Sequence, residues 1–371
     1  MILSAGAAAL CWVALLLLPW QPWRVREVLA VEPRALTRFD DLRVLIPARN
    51  EGALIEGTLD ALLAQGEGHS VIVIDDESDD DTAARVARFG DRVQLIRGQP
   101  RPSGWTGKLW ALEQGSMLDR ERPITLLLDA DIRLAPGVLA SLRERLANQG
   151  GGLVSVMASL RMETFWERLL LPAFIYFFRL LYPFALVNRR HSRVKAAAGG
   201  CVLLPTEVIE ERRLFRRIRA ELIDDCALAR EVKASGRPLW LGLSRAVVSE
   251  RPAVGLGPLA EMVRRTAFTQ LGNSVIMLLL CAAMMLLLFA VPWLAIGNGG
   301  TAAALGLLAW GAMTLSYLPI LRFFDRAPGW ALLLPVIGML YLLFTCQSAF
   351  SAWRGRRARW RGRLYATGLE S

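Results

Sequence analysis

The chain has 371 residues, 54% of them hydrophobic and 21% charged, with a formal net charge of +10. That length allows one medium domain plus a membrane part. The basic excess sits beside apolar segments, at Arg24 and Arg26, Arg189 to Arg193, Arg264 and Arg265, and Arg354 to Arg363. This is how juxtamembrane charge is distributed, and it favours a bilayer over nucleic acid as the partner. Five cysteines without a Cys-x-x-Cys pair, and only two histidines, exclude a disulfide framework and a structural zinc site.

Residues 2–20 are apolar and the first charge is Arg24. Basic residues follow this run instead of preceding it. The pattern predicts an uncleaved transmembrane anchor over 1–23, with its N-terminus outside and the next domain in the cytoplasm. From Leu42 strands and helices alternate. Arg43–Pro47, Val71–Ile74, Val93–Ile96 and Ile124–Leu128 read as strands. Leu54–Leu63, Thr82–Phe89 and Trp105–Met117 read as helices. That alternation predicts an α/β domain with a mostly parallel sheet, whose ligands sit at the carboxyl ends of the strands.

Residues 163–188 are rich in aromatics but contain Pro172, Pro183 and Arg179, so they read as an interfacial helix pair lying on the membrane. Three apolar runs follow, at 272–296, 301–321 and 329–351, each long enough to cross a bilayer. A basic tail, 352–371, closes the chain. Three spans after a cytoplasmic domain put that tail outside, whereas its arginines prefer the inside; a re-entrant or interfacial run would reconcile the two.

Acidic clusters fall at the predicted strand ends: Asp75-Asp76, with Ser78, Asp79, Asp81 and Thr82 just after, and Asp129-Ala-Asp131. A third cluster, Asp224-Asp225, opens a segment read as helical over Glu221–Ala234. Converging carboxylates need a cation or hydrogen-bond donors to compensate them. An Asp-x-Asp directly after a buried strand can offer oxygen ligands to Mg²⁺ or Mn²⁺. The bland alternatives are a turn with a helix cap at Pro136, and for Asp225 a charge at a helix N-terminus. His69, in a Gly-rich turn, is expected to be exposed. Trp105 and Trp110 either pack in the core or line a lipid or sugar site.

Several motifs in register resemble those of the family 2 glycosyltransferases with a GT-A fold. They are Ile46-Pro-Ala-Arg-Asn-Glu51, Val73-Ile-Asp-Asp-Glu-Ser-Asp-Asp-Asp-Thr82, Gly107-Lys108, Leu128-Asp-Ala-Asp131, Ala198-Gly-Gly-Cys-Val-Leu-Leu204 and Ile223-Asp-Asp-Cys-Ala-Leu228. They span about 40–270. Ser103-Gly-Trp-Thr-Gly-Lys108 together with Arg265-Thr-Ala-Phe-Thr-Gln270 most resembles the hopene-associated subgroup.

The resemblance implies a nucleotide-sugar donor, usually a uridine one, a lipid acceptor such as a hopanoid, and inversion in one displacement. Pro47, Ala48 and Glu51, with Asp75 and Asp76, would hold the base and ribose. Lys108 would lie near the sugar or phosphates. Arg265, or its neighbour Arg264, would meet the diphosphate; the alternative is that both are juxtamembrane anchors. Asp129 and Asp131 would carry the metal, Gly199 and Gly200 would form the acceptor-side loop, and Asp225 would be the general base. It also implies a multi-pass protein of the cell inner membrane with a cytoplasmic catalytic domain.

The chain departs from the family pattern twice. It has Asp224-Asp225 where Glu-Asp is frequent, and Arg264-Arg-Thr-Ala-Phe268 where many membrane members have Gln-x-x-Arg-Trp. The second departure argues against a processive polysaccharide synthase. An inactive scaffold keeping the fold would have no need of both Asp131 and Asp225. A nucleotidyltransferase would show a Gly-rich basic loop where Pro47-Ala-Arg-Asn-Glu51 stands.

Overall fold

The computed structural model describes residues 1–32 and 37–354, and only the backbone at 359–360 and 363–364. The rest of the basic tail after Arg354 lies outside the described residues. The chain divides into two compact units. One comprises Met1–Arg26, Met162–Ala185 and the segment from Ala253; the other comprises Glu27–Arg161 and Leu186–Pro252.

The second unit is built on an eight-stranded sheet. Its strands are β1 (Leu42–Ala48), β2 (Ser70–Asp75), β3 (Gln94–Arg97), β4 (Ile124–Leu128), β5 (Ile132–Leu134), β6 (Leu153–Leu160), β7 (Cys201–Pro205) and β8 (Leu239–Ser249). Their order across the sheet is β3-β2-β1-β4-β7-β6-β8-β5. Pairing is parallel from β3 to β4 and between β6 and β8. It is antiparallel at β7, which lies between β4 and β6, and at the β5 edge. All seven residues of β1 are buried, as expected for a parallel strand covered on both faces. Pro47 lies beyond the β1–β4 pairing, which stops at Leu45↔Leu127, so its missing N–H leaves that ladder intact.

Seven helices of this unit matter below: α1 (Gly52–Leu63), α2 (Thr82–Ala87), α3 (Gly107–Gly115), α4 (Val138–Asn148), α5 (Thr206–Glu211), α6 (Leu214–Arg217) and α7 (Asp224–Ala234). Ile55, Leu59 and Leu62 of α1, with Leu139 and Leu142 of α4, bury against Val44, Ile46, Leu126, Leu128, Val154 and Leu203 of the sheet. Each such side chain, fully buried, contributes about 1.5–3 kcal/mol. Three sequence expectations shift. The second long helix begins at Gly107, not Trp105. The helix after the third acidic cluster begins at Asp224, not Glu221, which puts both aspartates in its first turn. His69 is half-buried, not exposed: its ring meets Phe39 edge-on at 6.1 Å, and burial lowers its pKa.

The first unit is helical. Three of its helices are long and apolar enough to cross a membrane: Val275–Ile296, Gly300–Phe323 and Pro328–Trp353. The N-terminal helix, Ile2–Leu17, has 16 residues, which is short of the roughly 20 needed to span. Phe165–Leu181 is one helix started by a capping box between Thr164 and Glu167. The expected second member of that pair is a four-residue turn, Phe184–Val187. Arg179 is buried, donates to the Arg24 carbonyl and sits 4.4 Å from the Phe184 ring. Tyr176 and Tyr341 bond to Ser316 Oγ at 2.6 Å and to the Leu170 carbonyl at 2.9 Å.

Candidate active site

The carboxyl ends of β1, β2 and β4 carry the acidic residues, and backbone bonds fix the turn after β4. Asp129 N–H donates to the Gly200 carbonyl (3.0 Å), Ile132 N–H to the Asp129 carbonyl (3.1 Å) and Glu250 N–H to the Asp131 carbonyl (2.9 Å). Thr58 of α1 donates its hydroxyl to the Ala130 carbonyl at 2.8 Å. The Asp-x-Asp turn is therefore held from four sides, by its own turn, β7, β8 and α1. The helix cap belongs to Gly137, whose φ of 89° suits glycine, and not to Pro136.

Lys108 lies in the first turn of α3. Its Nζ is 2.7 Å from Asp129 Oδ1 and 3.4 Å from Asp224 Oδ2. Burial alone would lower the Lys108 pKa; Asp129 and Asp224 outweigh it and hold the ammonium above the ordinary lysine value. Asp225 Oδ2 accepts from Gly199 N–H at 3.1 Å, and its Oδ1 from Cys226 N–H at 2.7 Å. Burial, with repulsion from Asp224, pushes the Asp225 pKa up to about 6 against the pull of these donors and of Lys108. A Cβ on Gly199 would sit 3.4 Å from both Asp225 Cβ and Lys108 Nζ and fill the space between them. Lys108, Gly199, Asp224 and Asp225 thus share one cleft, floored by Leu109, Phe215 and Ile218.

A second cation organises the other side of the turn. One nitrogen of Arg251 bonds both oxygens of Glu51 at 2.8 Å, and its Nε lies 3.2 Å from Asp131 Oδ2. Ser249 donates to that same Asp131 oxygen at 2.7 Å. Burial pushes the Glu51 carboxyl up to about 8, although Arg251 pulls it down; Asp131 and Asp129 add to the rise. Sequence reasoning missed Arg251 and Ser249. The one available signal was their place at the end of the last strand of the sheet.

The structure brings Glu51, Lys108, Asp129, Asp131 and Asp225 into this network. Pro47 and Ala48 are buried at the end of β1. Asp76 is fully buried, and Asp75 accepts from the Ser78 hydroxyl. Their two loops interlock: Glu51 N–H donates to Thr82 Oγ1 (2.8 Å) and Gly52 N–H to Asp80 Oδ2 (3.0 Å). Arg265 belongs to the helical unit, where it is exposed at the end of Leu256–Arg264.

Burial and the neighbouring Asp131 raise the Asp129 pKa, while Lys108 opposes them. Among the described residues, no third His, Cys, Asp or Glu joins a metal-ligand cluster. Two carboxylates fit a divalent cation of the Mg²⁺ or Mn²⁺ type only where a ligand's phosphates and water complete the sphere.

Residues 40–267 match the family described as glycosyltransferase like family 2. With its strand-end acids at the Asp-x-Asp turn, the unit defines an enzyme of the GT-A fold. The chain belongs to the family 2 glycosyltransferases. An uncharacterized protein, MT1568, from Mycobacterium tuberculosis (strain CDC 1551 / Oshkosh) is 34% identical over 118 residues, 30% of this chain and 34% of that protein. A 4,4'-diaponeurosporenoate glycosyltransferase from Staphylococcus haemolyticus (strain JCSC1435) is 32% identical over 93 residues, 25% of this chain and 24% of that protein. The chain thus matches about a third and a quarter of these two relatives' lengths. The mannosyltransferase PcManGT from Pyrobaculum calidifontis, solved in complex with GDP-Man and Mn²⁺, shares the fold. The TM-score is 0.54 at 20% identity, over 96% of this chain and 98% of that one.

Proposed function

We propose that this glycosyltransferase moves a sugar from a nucleotide-sugar donor, a uridine diphosphate sugar being the first to test, to the hydroxyl of a membrane lipid. A hopanoid is the acceptor suggested by Ser103-Gly-Trp-Thr-Gly-Lys108 and Arg265-Thr-Ala-Phe-Thr-Gln270. The catalytic region is 40–270, with membrane parts at 1–23 and 272–351, in a multi-pass protein of the inner membrane whose active site faces the cytoplasm. The observation that carries the chemistry is the shared cleft, with a carboxylate, Asp225, whose raised pKa suits a base near neutral pH.

In this reading Pro47, Ala48, Glu51, Asp75 and Asp76 hold the nucleoside. Asp129 and Asp131 hold the cation, which when bound supplies positive charge against the diphosphate. Asp225 takes the proton of the acceptor hydroxyl as its oxygen attacks the anomeric carbon. The bond from that carbon to the diphosphate breaks, and the nucleoside diphosphate leaves. One displacement inverts the centre. Gly199 keeps the space between base and lysine open for the acceptor. Lys108, fixed by carboxylates, contributes preorganised charge beside the leaving group.

Asp225→Asn tests the base. Transfer should fall about 10²–10⁴-fold, the usual worth of general base catalysis, while donor affinity by calorimetry stays near wild type. Normal turnover by this variant refutes the assignment. Chelation should stop transfer and added Mn²⁺ or Mg²⁺ restore it; full activity in excess chelator removes the metal role from Asp129 and Asp131.

A further inference from the structure

Five arginines fall in eight residues just before α7: Arg212, Arg213, Arg216, Arg217 and Arg219. The apolar residues among them, Leu214, Phe215 and Ile218, are buried, and Phe215 and Ile218 form part of the cleft that holds Asp225. Arg213, Arg216, Arg217 and Arg219 face solvent. Few carboxylates oppose them. Glu113 pairs with Arg216, and Glu231 is shared by Arg212 and Arg217 at 3.6 Å each. Glu211 nearby lies 4.0 Å from Arg237, and Glu221 pairs with Arg230 at 2.6 Å. Among the described residues no carboxylate pairs with Arg213 or Arg219. The segment is a fixed stripe of excess positive charge.

Two of these arginines border an aromatic surface. Trp105, Trp110, Gln114, Met117, Arg216 and Arg219 line an open groove of about 480 Å³, together with Glu113, whose carboxylate is buried and held by Arg216. The two indoles meet edge to face at 5.2 Å, Trp110 Nε1 donates to the Gln99 carbonyl at 2.8 Å, and Met117 is half exposed. Indole rings with a polar edge, beside Arg219 with no carboxylate partner among the described residues and the excess charge of the stripe behind it, match the headgroup level of a bilayer. Rings favour the ester and glycerol region, and arginines favour the phosphates. A small free anion would use the arginines and leave the indoles idle; a neutral sugar would do the reverse. The same chain carries three helices able to cross a membrane, so a bilayer surface is the ligand at hand.

We propose that this groove and the 212–219 stripe bind anionic phospholipid headgroups, as a lipid contact separate from the acceptor site. The inference rests on the membrane reading of the chain. The stripe ends at Arg219, with Ala220 to Ile223 between it and Asp224, and its buried Phe215 and Ile218 line the cleft that holds Asp225. Thr106 N–H donates to the Arg219 carbonyl at 2.8 Å, tying the stripe to the start of the helix that bears Lys108.

Amide hydrogen exchange of the full chain in nanodiscs tests it, with phosphatidylcholine alone against phosphatidylcholine plus phosphatidylglycerol. Exchange across 212–219 should slow several-fold in the anionic discs. The slowing should weaken at high salt and vanish in an Arg213→Glu/Arg219→Glu variant, while Trp105→Ala reduces it. Equal exchange in the two discs overturns the proposal. So does a charge-reversed variant that still responds, or full protection by inorganic phosphate in neutral discs, which would mark a small-anion site. Peptides from β1 to β4 report whether the variant is folded; if they loosen, Arg219→Gln takes its place. Donor binding, measured in both discs, keeps failure of the transferase reading distinguishable from failure of this one.

Discussion

Lys108 is the residue on which the site's charge balance turns. It stands between Asp129 and Asp224, and Asp225 lies within its field. The mutual repulsion of these three carboxylates is offset by this one ammonium. Lys108→Met removes it, and losing one partner of a buried charge pair costs about 3–5 kcal/mol; the partial exposure of these side chains puts the expected loss at the low end. A thermal melt of the detergent-solubilised protein should show the drop. The same change raises the Asp225 pKa further, because Lys108 is one of the groups that lower it. A base works deprotonated, so activity is present above its pKa and lost as pH falls through it. For the wild type, kcat/KM should decline on the acid side below about pH 6, and for Lys108→Met the decline should begin at higher pH. An unmoved acid limb would mean that another group controls it.

At the scale of elements, the β-strand ends were legible because parallel strands covered on both faces read as unbroken apolar runs, and the acids that stop them stand out. Val71–Ile74 into Asp75-Asp76 and Ile124–Leu128 into Asp129 needed nothing else. The β7 strand was not legible as to direction: Cys201-Val-Leu-Leu204 is as apolar as its parallel neighbours, and only the path of the chain makes it antiparallel. Arg251 was hidden for a related reason. It reaches Glu51 and Asp131 across the sheet, and no local spacing encodes a contact between ends of distant strands. Arg251 joins the first strand's loop to the Asp-x-Asp turn proposed to hold the cation, and that has a measurable consequence. Among the described residues, Arg251→Met leaves Ser249 as the one side chain bonded to the Asp131 carboxylate. Outer partners of metal ligands are typically worth about 10–100-fold in metal affinity, so Mn²⁺ binding followed by electron paramagnetic resonance should weaken by that order. A Mn²⁺ affinity equal to wild type would show that Ser249 and the backbone suffice to hold Asp131.

At the scale of the whole molecule, charge and apolar surface compete to explain attachment to a bilayer. The net charge of +10 would by itself hold a protein loosely on an anionic surface. That attraction is screened within about 3 Å at 1 M salt. The helical unit argues for more. Most of Val275–Ile296 is not buried in the protein, and Ile276, Leu279, Leu280 and Met284 lie open. An apolar helix of 22 residues exposed in this way costs about 25 cal/mol for every Å² left in water, and a bilayer removes that cost. It is helical throughout, with a π turn at Leu286–Ala290, so its backbone bonds are internal. The two explanations predict different extraction behaviour. Membranes from cells making the protein should retain it through washes at high salt and through alkaline carbonate, and release it only to detergent. An Arg213→Glu/Arg219→Glu variant should behave identically in that assay, because insertion does not depend on the arginine stripe. Release of the wild-type protein by salt alone would mean that the three long helices do not enter the bilayer, and that the arginines are what hold this enzyme to it.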